Sequence, residues 1–107
     1  MPMITIEYDD TKVSTEEIQS LSEAVQKIVS EVTGIEDVFV YANSAQIKIK
    51  VAPIEIFVQM TATKIDDEDK LFSELKRKLL DWKTQVAFAH LLNLTLMPMH
   101  WKVEVGI

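Results

Sequence analysis

Apolar and polar residues alternate through Met3, Ile4, Thr5, Ile6, Glu7 and Tyr8, the two-residue period of a half-buried strand. A polar "DDTK" follows. In "STEE", Ser14 and Glu17 stand three apart, the spacing of a capping box. The pattern predicts a helix from there to about Thr33, with Ile18, Leu21, Val25, Ile28 and Val32 on its buried face. Gly34 is placed to end it, because the closing residue of a helix often needs positive φ. "DVFVYA" reads as a strand and "NS" at 43–44 as a turn. "AQIKIKV" reads as a further strand, with Ala45, Ile47, Ile49 and Val51 on one side and Gln46, Lys48 and Lys50 on the other.

The order then restarts. Pro53 precedes "IEIFVQMTATK", a second long strand. "DDED" at 66–69 offers helix caps and negative charge where the helix dipole favours it. The next helix is expected to bury Phe72, Leu75, Leu79, Trp82 and Val86. "LNLTLM" is a strand, Pro98 marks an edge or a break, and "HWKVEV" reads as a final short strand. The apolar helix positions of the two halves correspond at an offset of 54, and Pro2 and Pro53 at an offset of 51. The chain therefore reads as one α+β domain, 1–107, made of two βαβ pseudo-repeats, 1–52 and 53–107. Right-handed crossovers would make the strands parallel within each unit. A ferredoxin-like sandwich, with four antiparallel strands under two helices, uses the same element order and remains the alternative.

Composition narrows the chemistry. A chain of 107 residues with 48% apolar content can build one core, although its small size makes association helpful. Cysteine is absent, which removes disulfides and thiolate chemistry. The net charge of −6 disfavours nucleic acid and anionic membranes as partners. Nothing resembles a signal peptide or a membrane span, so a soluble cytoplasmic protein is expected. With Gly34 and Gly106 as the only glycines, no phosphate-cradling loop can be written. His90 and His100 lack carboxylates at ligand spacing, so no metal site is expected, and His90 is placed near a helix C-terminus.

Pro2 is the residue with distinctive chemistry. Proline is tolerated at the start of a strand for structural reasons alone. With Met1 removed, its nitrogen becomes a secondary amine. A terminal amine titrates near ~8, and burial or nearby cations lower that value. Such a base can move a proton from carbon next to a carbonyl without a metal or cofactor.

A Met-Pro start that opens a repeated βαβ unit resembles the tautomerase superfamily. The stretch "IFVQMTATKI", the later "LLNLTL" and the "VTG" closing the first helix resemble 5-carboxymethyl-2-hydroxymuconate isomerase, with macrophage migration inhibitory factor as a further similar type. The resemblance implies Pro2 as catalytic proton shuttle, a small keto–enol or unsaturated oxo acid as substrate, no cofactor, and a homotrimer with sites between neighbouring chains. It places Lys12 where an early binding arginine falls, a point charge without the bidentate fork. Tyr41 is the one polar tip on the strand that carries arginine in the muconate isomerases, and Lys64 closes the second long strand near the family pocket. Arg77 is the single arginine and lies in a polar helix run. The missing arginines favour an alternative: a non-catalytic binding or assembly module. Lys48 and Lys50 read as solvent-facing, Trp82 as core, and Met97, Met99 and Trp101 as facing the core or a partner subunit.

Overall fold

The computed structural model describes residues 2–107. Strand β1 covers Met3–Tyr8, helix α1 Thr15–Thr33, β2 Phe39–Asn43, β3 Ile54–Thr61, α2 Glu68–Gln85 and β4 Asn93–Met99. A single 3₁₀ turn, Ala62–Lys64, joins β3 to the approach of α2.

The sheet has the order β2-β1-β3-β4. Met3 pairs with Phe39 in a parallel β1–β2 ladder, and Glu55 with Asn93 in a parallel β3–β4 ladder. The two units meet through β1 and β3, which run antiparallel with Ile6 opposite Ile56. Parallel pairing within each unit is the arrangement of two βαβ repeats. It excludes the ferredoxin-like sandwich, whose sheet is antiparallel throughout.

Both helices cover one sheet face. Ile4 and Ile6 from β1 and Ile54, Ile56 and Val58 from β3 lie fully buried beneath Leu21, Val25, Val29, Leu75 and Leu79. Their period of two in the strands and three to four in the helices follows from element geometry. The opposite face carries Thr5, Phe57 and Met97, half-buried, and Phe39 and Tyr41, exposed. Among the described residues no helix is long and apolar enough to cross a membrane.

Ser14 accepts the Glu17 N–H and Glu17 Oε1 accepts the Ser14 N–H, so the capping box forms in full. Gly34 closes α1 with φ of 71°. Asp67 caps α2 by accepting the Lys70 N–H.

Several expectations change. Asn43 ends β2 instead of opening a turn at 43–44, and the second long strand stops at Thr61, which leaves Lys64 in the 3₁₀ turn. Residues 45–51 form no strand, and Ile47 and Ile49 are 84% and 96% exposed. The sheet order explains this. Strand β1 sits between β2 and β3, so the connection hops over one strand and finds no free inner edge. Residues 100–105 also form no strand, since they run past the end of edge strand β4. Val29 replaces Ile28 and Val32 among the buried residues of α1, and those two are half-buried against the core. Val86 is the exposed C-cap of α2, where the helix has already turned away from the core.

Candidate active site

Pro2 lies at the head of β1, one of the two central strands. Its side chain is fully buried on the helix side of the sheet, in step with Ile4 and Ile6. Its carbonyl accepts the Phe39 N–H at 3.3 Å, which ties the start of the chain to the start of β2. Continuing the β1–β3 register one step beyond Met3–Gln59 sets Pro2 beside Met60, itself buried.

Met60 lines a cleft of about 390 Å³ at this end of the molecule. Val32 and Thr33 form its α1 wall, and Lys64, Lys70 and Leu71 its other side. Asp66, Asp67 and Glu74 also border it, so its charge is mixed. The Asp67 carboxylate is already engaged by the Lys70 N–H. Lys64 makes no ion pair among the described residues and is the cation carried closest in sequence to the end of β3.

Lys12 and Tyr41 stand elsewhere. Lys12 follows the far end of β1, roughly 20 Å from Pro2 at about 3.3 Å per strand residue. Tyr41 pairs with Thr5 on the uncovered face of the sheet and is exposed. Of Lys12, Tyr41 and Lys64, only Lys64 shares an end of the sheet with Pro2 within one chain. Arg77 pairs with Asp81 at 3.8 Å on the outer side of α2, and both side chains are largely exposed. Lys48 pairs with Asp10 at 3.0 Å beyond the far end of β1.

His90 has a partner that its sequence position does not suggest. Its Nε2 lies 2.8 Å from Glu17 Oε2, while its ring meets Phe88 edge-on and Phe88 packs on Trp82. One carboxylate thus caps α1 and holds the connector between α2 and β4. The separation of 73 residues hides this contact from any local spacing rule. No group of three or more metal-ligating side chains comes together among the described residues.

The Ser14 N–H donated to Glu17 holds the Glu17 carboxyl below its ordinary 4.5; burial, the next largest influence, opposes this, and His90 and the Ser14 hydroxyl add to the lowering. The native state therefore favours the ionised form. That contribution is complete above the unfolded pKa and is lost as pH falls through the folded one. Glu17→Gln is expected to flatten the acid limb of stability below about pH 5, measured as urea midpoints across that range. Asp9, held low by the Thr11 hydroxyl and N–H, keeps part of that slope in the variant.

No family model and no curated protein matches the chain. Among solved structures the fold is well represented. Malonate semialdehyde decarboxylase superposes with a TM-score of 0.71 at 10% identity, covering 98% of this chain and 92% of its own. A macrophage migration inhibitory factor-like protein from Entamoeba histolytica gives 0.60 at 18% identity, with coverage of 96% and 93%. A fused 4-OT, described as an asymmetric trimer, gives 0.63 at 14% identity, with coverage of 91% and 85%. The chain has the tautomerase-type βαβ fold.

Proposed function

We propose that the chain is a cofactor-independent tautomerase or isomerase in which Pro2, freed of Met1, carries a proton between two positions of a small keto–enol or unsaturated oxo acid. One observation carries this reading: the only residue able to become a secondary amine heads a central strand, next to a cleft bordered by Lys64. Burial of the ring would hold the nitrogen's basicity down toward neutral, where a general base works best. Lys64 would hold the substrate carboxylate. Lys12 lies too far from Pro2 in the same chain and Tyr41 is on the other face of the sheet, so a neighbouring copy would supply them.

Self-association belongs to the same proposal, as a homotrimer. The uncovered sheet face carries Phe39, Tyr41, Phe57 and Met97. Residues 45–51 and 100–105 keep the alternation of strands without a strand partner in their own chain, as segments that pair across a subunit boundary would. The trimeric 4-OT of similar fold is consistent with it.

The position of Arg77 favours a second reading, a non-catalytic binding module on the same fold. The single guanidinium sits on the outer side of α2 and offers no bidentate carboxylate fork at the Pro2 end. Intact mass of the protein isolated from its own cell, paired with ketonisation assays on 2-hydroxymuconate and phenylenolpyruvate, separates the two. Loss of Met1 together with turnover supports catalysis. Retained Met1, or no turnover by the processed protein, removes it.

A further inference from the structure

A second cleft, of about 330 Å³, lies between α2 and the start of β4. Phe72, Leu79 and Leu80 line it from the helix, and Leu91, Leu92 and Leu94 from the connector and strand. The sheet order explains why it is open. Strand β4 is an edge strand, so no further element lies beyond it to cover this flank of α2. Leu80 and Leu91 are 52% and 75% exposed. Leucines left bare together in one concave surface, rather than scattered singly, point to a binding role.

The charge of the cleft sets it apart from the rest of the surface. Its two remaining lining residues are Lys76 and Lys83, and no acid borders it, although the chain as a whole carries −6. The two lysines stand seven residues apart on α2, about 10 Å along the helix axis. Neither makes an ion pair among the described residues. Lys83 is the half-buried one of the pair, so fixing its ammonium costs less side-chain freedom. None of these residues borders the cleft beside Pro2. Asn93 pairs with Glu55, which places the cleft toward the Pro53 end of the sheet.

Apolar walls with cations at the rim suit a molecule with one alkyl chain and one anionic head. The volume is near the lower end of small-ligand pockets and too small for a docked helix about 10 Å across.

We propose that this cleft binds a medium-chain fatty carboxylate, its chain laid along the leucines between α2 and β4 and its head paired with Lys83. The site is separate from the Pro2 chemistry and does not depend on it.

The test is calorimetric titration of the full chain at low salt, with each ligand below its micelle-forming concentration. Decanoate is expected to bind once per chain, and octanoate and hexanoate successively more weakly, by up to about 4-fold for each methylene lost. Lys83→Gln should weaken decanoate by about 2- to 5-fold and leave decanol, which has no charge, unchanged. The double variant Leu80→Glu/Leu91→Glu should abolish binding of both. Because both leucines are exposed, its unfolding midpoint without ligand should stay near that of the wild type. Pro2→Ala should bind decanoate as the wild type does. Absence of binding, affinity independent of chain length, or binding that survives the double variant would overturn the proposal. A change in oligomeric state in the double variant would also overturn it, by giving the cleft to a second copy of the chain.

Discussion

Pro2→Ala, with Met1 removed from both proteins, is expected to slow ketonisation by about 10²- to 10⁴-fold, the range a positioned general base contributes. Alanine leaves an amine at the same place in the chain. What it removes is the ring, and with it the fixed φ and the packing that hold the nitrogen at the head of β1. Pro2 is fully buried, so the variant also leaves a small gap. Circular dichroism and the unfolding midpoint show whether that gap disturbs the fold. A protein that still carries Met1 should be equally slow, since its Pro2 nitrogen is an amide with no basic lone pair. Identical rates for wild type and Pro2→Ala on both enols would end the catalytic proposal.

The largest loss of stability is expected at Ile56→Ala, at about 2–5 kcal/mol. Ile56 is fully buried in the middle of β3, paired with Ile6 on one side and Leu94 on the other. Rigid strand neighbours limit collapse around the missing atoms, so the cavity persists. Against a typical total of about 5–15 kcal/mol, that loss moves a large share of the molecules toward the unfolded state. Ile56→Val should cost only about 0.5–1.5 kcal/mol. Ile47→Ala gives the contrast, because a side chain 84% exposed has little burial to lose and should stay within about 0.5 kcal/mol in the isolated chain. Urea unfolding of the three variants checks the order.

Much of the fold was legible because its signals are local. Ser14, Glu17 and Gly34 announce the limits of α1 within a few residues of themselves, and the alternation of 3–8 and 54–61 places two strands on one core. The failures share a different cause. Ile47 and Ile49 alternate as well as any strand in the chain, yet alternation alone does not pair a strand: residues 45–51 cross from β2 over β1 to β3 and join neither free edge of the sheet. Val86 continues the apolar period of α2, but the helix has passed the core by the time it arrives. The candidate site divides the same way. The position of Pro2 ahead of β1 could be read from the sequence, whereas Lys64 falls in the 3₁₀ turn after β3 and not on the strand, and the Thr61–Trp101 and Glu17–His90 contacts join residues 40 and 73 positions apart and follow from topology alone.

The antiparallel seam between β1 and β3 makes each half of the molecule the rotated image of the other. Pro53 is therefore the counterpart of Pro2 at the opposite end of the sheet, where its carbonyl accepts the Asp9 N–H. Its nitrogen is locked in the Ala52–Pro53 amide. In a protein freed of Met1, opening that one bond would give two short chains, each beginning with proline, and a molecule with a basic nitrogen at both ends. If Pro2 acts as proposed, continuity of the backbone is what would keep the Pro53 end of this protein chemically silent.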